Sequence, residues 1–115
     1  MRNGLLTQSL LDMSLSTPHS FLRICRADYA NAAHAAALVS LLDAYAKDPM
    51  GGGEPLSDFA KTHLVASLAT RPDAFSILAF AGVDSDIPVG LVNCFEGFST
   101  FASRPLVNVH DVATR

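Results

Sequence analysis

The chain has 115 residues, of which 50% are hydrophobic and 17% are charged, and its formal net charge is −3. A chain of this length folds as one domain and can bury a core without disulfides. The slight negative charge, without a run of Lys or Arg, argues against nucleic-acid and anionic-membrane partners. No apolar run approaches the roughly 20 residues that span a bilayer. The isolated Cys25 and Cys94 are typical of a reducing compartment, so we predict a cytoplasmic protein.

The first 20 residues lack the uninterrupted apolar run of a secretory signal, because Gln8, Ser9 and Asp12 interrupt it. We predict a weakly structured leader over residues 1–20, followed by the domain over residues 21–115. A short amphipathic helix over residues 5–13 and a misassigned start codon are the alternatives.

The first half of the domain predicts a strand and two helices. Alternating apolar residues over 21–26 indicate an edge strand. Asp28 is a candidate cap for a helix over residues 31–46, which Pro49 ends. Residues 51–53 are three glycines and predict a flexible loop, and Ser57 caps a second helix that runs to residue 69.

The second half predicts strands. Residues 75–81 and 88–95 form a hairpin around a turn at residues 82–86. Residues 96–104 predict an ordered aromatic loop. A last strand over residues 105–113 alternates, with Leu106, Asn108, His110 and Val112 on one face and Val107, Val109 and Asp111 on the other.

Four segments carry a family resemblance. They are FLRICRAD at residues 21–28, DAYAKDPMGGGEPL at 43–56, PVGLVNCFEGFSTF at 88–101 and RPLVNVHD at 104–111. Together they resemble a bacterial branch of the GCN5-related N-acetyltransferase family over residues 21–113. The resemblance implies an incomplete α/β fold of the α+β type, with element order β-α-α-β-β-β and a mixed, mostly antiparallel sheet.

The resemblance also implies an activity, the transfer of acetyl from acetyl-CoA to a small-molecule or peptide amine. The backbone at the positions matching Val112 and Ala113 would hydrogen-bond the pantetheine arm. The family's next turn, an Arg/Gln-x-x-Gly-x-Gly/Ala pattern that holds the pyrophosphate, is absent after Ala113, as is the general acid of many members. We therefore expect a truncated domain with little or no activity by itself, since its cofactor would be poorly positioned.

An attacking amine must lose a proton, so a carboxylate or imidazole near the strand ends is the group to seek. Glu96 follows the third strand and is the first candidate, acting directly or through water, although a solvated loop carboxylate is the alternative. His110 is the second candidate, and a hydrogen-bonded core histidine is its alternative.

Candidate substrate-binding residues are Asn93, Phe98, Asn108 and Asp111. Phe98 belongs to the aromatic loop, which could floor a substrate pocket or form a hydrophobic cluster beneath the loop. Asp111 and His110 are adjacent and predicted to face opposite ways. They could line one pocket only if the strand bulged there, so we expect one of them to be structural.

The histidines and cysteines have no ligand spacing, so we predict no metal site. The Gly51–Gly53 stretch lacks the Gly-Lys-Ser/Thr that a phosphate loop requires. A second interpretation belongs to another class of function. The last strand would expose an unpaired edge, and the chain would be a non-catalytic binding or assembly domain that associates with itself along that edge.

Overall fold

The computed structural model describes residues 21–82 and 87–115, so the predicted leader and residues 83–86 of the predicted turn lie outside the described residues. The elements are β1 (Leu22–Arg26), α1 (Ala32–Lys47), a 3₁₀ turn (Pro49–Gly51), α2 (Asp58–Ala69), β2 (Ala74–Ala81), β3 (Ile87–Ser99) and β4 (Arg104–Thr114). Neither helix of this part of the chain is long and apolar enough to cross a membrane.

The four strands form one sheet in the order β1-β2-β3-β4. All three pairings are antiparallel, with Cys25 opposite Leu78 and Leu78 opposite Leu91. The predicted α+β class and the predicted order of elements are confirmed. The predicted sheet was mixed and mostly antiparallel, and the pairs among the described residues are all antiparallel.

The core lies between the sheet and the two helices. On β2 every second residue is buried, as the alternation predicted. Leu78 from β2 and Leu91 from β3 meet Leu38 and Leu41 from α1, and none of the four is more than 2% exposed. The helices therefore share one face of the sheet, and that face carries the hydrophobic core.

Local hydrogen bonds explain where α1 begins and ends. The N-cap is Asn31, whose side chain accepts from the His34 N–H at 3.0 Å. Asp28 is not the cap, because its side chain instead accepts from the Ala30 N–H in the turn that precedes the helix. At the other end Asp48 has extended backbone, as a residue before proline should, and the helix stops at Lys47.

The glycine stretch, for which the sequence predicted a flexible loop, forms a turn with backbone hydrogen bonds. The N–H groups of Gly51 and Gly53 both donate to the carbonyl of Asp48, at 2.8 and 3.0 Å. Gly52 and Gly53 have φ angles of 117° and 81°, a region that other residues rarely adopt. These glycines form a compact turn after α1.

Asp43 on α1 joins the two helices and the connection between them. Its Oδ1 accepts from the Leu56 N–H at 2.9 Å, and its Oδ2 lies 3.1 Å from Lys47 Nζ and 3.8 Å from Lys61 Nζ. The Leu56 hydrogen bond, with help from the two lysines and against a partial desolvation, holds the pKa of Asp43 below its ordinary value. The ionised form of Asp43 is therefore stabilised by folding.

This lowered pKa predicts a pH-dependent stability. Asp43 should stabilise the fold above the ordinary carboxyl pKa of about 3.9, and that contribution should disappear as the pH falls through the lower value of the folded state. We expect Asp43→Asn to lower Tm at pH 7 and to converge with the unmodified chain in acid. Thermal unfolding at several pH values measures this, with the exposed Glu54→Gln as control. A Tm difference that stays constant below that range would contradict it.

The turn between β3 and β4 is shorter than predicted. Residues 96–99 continue β3, and only residues 100–103 form a turn, with Ser103 at φ 55°. The sequence predicted an aromatic loop because Phe98 and Phe101 are interleaved with Gly, Ser and Thr. Cross-strand pairing overrides that pattern, since Glu96 pairs with Val107 and Phe98 with Pro105. The result is a long β3-β4 hairpin.

Candidate functional site

The strand β4 carries one extra residue in the middle of its pairing with β3. Asn93 is opposite Asp111, but the next residue, Cys94, is opposite Val109. His110 therefore has no partner of its own, which is a β-bulge. The strand thus bulges in the way required for the adjacent His110 and Asp111 to line one pocket. The alternating faces predicted for β4 were consequently wrong beyond the bulge, where Asp111 lies on the helix-covered face with Asn93.

A cavity of about 260 Å³ lies beside the bulge, between the sheet and the helices. One part of its wall is polar, from two neighbouring strands. The rest is apolar and comes mainly from the helices. The lining residues are Asn93, His110 and Asp111 on the polar side and Leu42, Leu64, Leu68 and Phe95 on the apolar side.

A chain of hydrogen bonds crosses the sheet and ends at Asp111. Ser76 Oγ donates to Asn93 Oδ1 at 2.6 Å, and Asn93 Nδ2 donates to Asp111 Oδ2 at 3.1 Å. Tyr29 Oη lies 2.8 Å from Ser76 Oγ. Because Ser76 has given its single hydroxyl hydrogen to Asn93, Tyr29 is the donor in that contact. Every donor therefore points toward the Asp111 carboxylate.

The middle of this chain is buried and its end is accessible. Ser76 is 0% exposed and Asn93 is 4% exposed, whereas Asp111 is half-buried at the cavity. Asp111 takes part in none of the ion pairs between described residues, which include those of Asp43 with two lysines and of Asp73 with Arg71. Asp111 Oδ1 also has no hydrogen-bond partner within residues 21–82 and 87–115. The cavity thus presents one held carboxylate with an open oxygen.

His110 occupies the same cavity but is not a core histidine. It is exposed, and its ring packs edge-on against the Phe95 ring with the centroids 5.5 Å apart. The alternative of a hydrogen-bonded core residue was wrong, because the bulge projects His110 out of the regular pairing. An imidazole next to a carboxylate at an accessible cavity can accept or carry a proton.

Three other predicted site residues lie away from the cavity. Glu96 is exposed, and the alternation of β3 puts its side chain on the opposite face of the sheet from Phe95. Phe98 shares that open face and is 60% exposed. Asn108 is exposed on β4 opposite Phe95 and does not line the cavity. Of the predicted substrate-binding residues, the structure brings together Asn93 and Asp111.

The outer edge of β4 has no strand beside it in the described part of the chain. The N–H of Arg115 donates to the Val89 carbonyl at 2.8 Å, so these two residues form a hydrogen-bonded pair. Along an antiparallel ladder, hydrogen-bonded pairs alternate with non-hydrogen-bonded pairs. The N–H and C=O groups of Ala113 therefore point toward β3, and those of Val112 and Thr114 point toward the open edge. Of the two residues predicted for backbone contacts, Val112 presents its N–H and C=O groups at the open edge and Ala113 does not. Thr114 is the second residue whose backbone faces that edge.

The remaining histidines and cysteines of the described residues have structural positions. His34 Nδ1 accepts from the Asp28 N–H, and His63 stacks on Phe59 with the ring centroids 4.1 Å apart. Cys25 and Cys94 are free thiols. Within residues 21–82 and 87–115, no three His, Cys, Asp or Glu side chains gather in a way that could hold a metal ion.

Two further residues, Tyr29 and Ser76, hold the far end of the hydrogen-bond chain and are not among the residues predicted from the sequence. A serine on the buried face of β2 was the available signal, because a buried hydroxyl must find a partner. Its partners come from 17 and 47 residues away, however, and only the strand register identifies them.

No protein-family model matches the sequence, and no curated protein matches it. Solved structures do match the fold. A probable acetyltransferase superposes with a TM-score of 0.60 at 18% identity, covering 81% of this chain and 57% of the other. An aminoglycoside acetyltransferase from an uncultured soil metagenomic sample, solved with trehalose, has a TM-score of 0.59 at 19% identity and coverages of 82% and 56%.

This chain thus spans just over half the length of the acetyltransferases that it matches. The shared part is the antiparallel sheet with its two helices, which is the architecture that the family resemblance implied. The described part of the chain therefore has part of the fold of these acetyltransferases, in agreement with the resemblance found in the sequence.

Proposed function

We propose that this chain forms the amine-side part of an N-acetyltransferase, which transfers acetyl from acetyl-CoA to a primary amine. The observation that carries the proposal is the β4 bulge, which brings His110 and Asp111 to one cavity close to an open strand edge. The acetyltransferase fold of the matching structures supports the same reaction class.

In this reaction the amine nitrogen forms a bond to the thioester carbonyl carbon, the C–S bond breaks, and CoA leaves as the thiolate. The attacking amine loses a proton, which Asp111 or His110 is placed to accept at the cavity. Glu96, the first candidate from the sequence, lies on the opposite face of the sheet, so it would take this proton, directly or through water, only from an amine bound on that face. Acetyl-CoA supplies the activated acyl group, and this chain's residues orient the amine.

The open edge of β4 fits the amide-bearing pantetheine arm of acetyl-CoA. Backbone N–H and C=O groups at Val112 and Thr114 point outward and can pair with amides in the way that a further strand would. We expect the isolated chain to bind this arm weakly, because a few backbone hydrogen bonds at a solvent-exposed strand edge each contribute only about 0.5–1.5 kcal/mol. Little or no acetyl transfer by the isolated chain is the corresponding expectation.

Titration of the ¹⁵N-labelled chain with pantetheine tests this placement. We expect millimolar binding that shifts the amide resonances of Val112 and Thr114 more than that of Ala113, whose N–H is already bonded to β3. Shifts centred on the 3₁₀ turn after α1, or no shifts along β4, would contradict the placement of pantetheine at this edge. Micromolar binding of acetyl-CoA by the chain would show instead that its cofactor site is complete.

The open edge also supports a second function, that of an assembly domain. Val107, Val109 and Val112 are each more than 50% exposed along β4, and an uncovered apolar edge strand favours pairing with another chain. Two copies would then pair β4 with β4. Sedimentation equilibrium distinguishes this function, because a concentration-dependent dimer supports it and a monomer at all concentrations excludes it.

A further inference from the structure

We infer that the cavity at the β4 bulge selects a primary amine with a single apolar substituent, whose ammonium group binds at Asp111 Oδ1. The inference rests on the proposed function in taking this cavity as the acceptor site. It goes beyond that function because it names the class of amine. This class follows from the small number of charged and polar groups that line the cavity.

The polar side of the cavity is built for one cation. Asp111 is its one carboxylate, and no Lys or Arg of the described residues pairs with it. The donors of Tyr29, Ser76 and Asn93 are directed along the sheet toward Asp111 Oδ2, which leaves Oδ1 open. A carboxylate held in this way is a fixed acceptor for a single ammonium group.

The rest of the wall is apolar. Leu42, Leu64, Leu68 and Phe95 offer no hydrogen-bond partner from their side chains. A ligand with several ammonium and hydroxyl groups would leave most of them unpaired against these side chains, at a large desolvation cost. An apolar substituent would instead gain from burial there.

The size of the cavity leads to the same class of ligand. Its volume of about 260 Å³ lies below the roughly 300–1,000 Å³ of sites for drug-sized ligands. A compact amine fits this space, whereas a sugar of several rings would extend beyond it. Two solved structures that share the fold are named as aminoglycoside acetyltransferases, but the wall chemistry of this cavity favours an apolar monoamine.

NMR titration of the full chain with three probes tests the inference: 2-phenylethylamine, its uncharged analogue 2-phenylethanol, and the aminoglycoside kanamycin. We expect 2-phenylethylamine to shift the resonances of Asp111, His110 and the Asn93 side-chain amide. We expect it to bind roughly tenfold or more tightly than the alcohol, since a charged hydrogen bond contributes about 1.4 kcal/mol or more. Equal binding of amine and alcohol, tighter binding of kanamycin, or no binding of any probe would overturn the inference.

Asp111→Asn provides the matched variant, because it removes the charge and keeps the shape. Its amine affinity should fall to that of the alcohol, while Glu54→Gln, an exposed carboxylate on the α1-α2 connection, should leave the amine affinity unchanged. If Asp111→Asn does not fold, the comparison of amine with alcohol on the unmodified chain still decides. Amine binding without pantetheine binding would support the inference and contradict the acetyl-transfer function. Pantetheine binding without amine binding would support the acetyl-transfer function and contradict the inference.

Discussion

Replacing Leu38 with alanine is expected to lower the free energy of unfolding by about 3 kcal/mol, a large part of the total for a small domain. Leu38 is 0% exposed and lies between α1 and the sheet, where it belongs to the cluster that contains Leu41 and Leu78. Alanine is the best helix former, so the substitution leaves the helix itself unharmed and the loss comes from the cavity that remains.

Urea unfolding measures this loss, and Met50→Ala is the control. Met50 is 88% exposed in the 3₁₀ turn after α1, so its truncation should change stability by no more than about 0.5 kcal/mol. A loss at Leu38 that is no larger than the loss at Met50 would mean that the helices do not pack on the sheet as described.

Replacing Asn93 with leucine is expected to cost about 2–3 kcal/mol, because it removes the centre of a buried hydrogen-bond chain and leaves groups on both sides without partners. The Ser76 hydroxyl, 0% exposed, would lose its acceptor, and Asp111 would lose the amide that holds Oδ2. Leucine has the same branched skeleton of heavy atoms but larger methyl groups, so the loss combines the broken hydrogen bonds with some overpacking.

Asn108→Leu is the matched control for Asn93. Asn108 is an exposed asparagine on the neighbouring strand, and its replacement should change stability by about 0.5 kcal/mol or less. Combining Asn93→Leu with Ser76→Ala should cost less than the sum of the two single changes, by about 0.5–3 kcal/mol, since both disrupt the same network. Strict additivity in urea unfolding would mean that the two side chains do not interact.

Local chemistry allowed the helices and most strands to be predicted from the sequence. The Ser57 cap, the stop before Pro49 and the alternation of β2 each depend on a few neighbouring residues, and the structure has all three. The Asp28 prediction failed within the same local range, because Asn31, three residues further along, is the cap of a helix that begins at Ala32.

The site itself depends on pairing between strands, which the sequence does not display. The extra residue at His110 is visible only once Asn93 and Cys94 have been assigned their partners on β4. Alternation without that bulge places Asp111 on the wrong face. Tyr29 lies 47 residues from Ser76, in the turn after β1, so its place at the far end of the hydrogen-bond chain follows from the pairing of β1 with β2.

The bulge at His110 brings this histidine and Asp111 to one cavity, and interstrand nuclear Overhauser effects in the ¹³C,¹⁵N-labelled chain test it most directly. We expect contacts that join Asn93 to Asp111 and Cys94 to Val109, with no partner on β3 directly opposite His110. Contacts that place Cys94 opposite His110 would describe a regular ladder without a bulge. In that case the two side chains would face opposite sides of the sheet, and the candidate amine site would not exist.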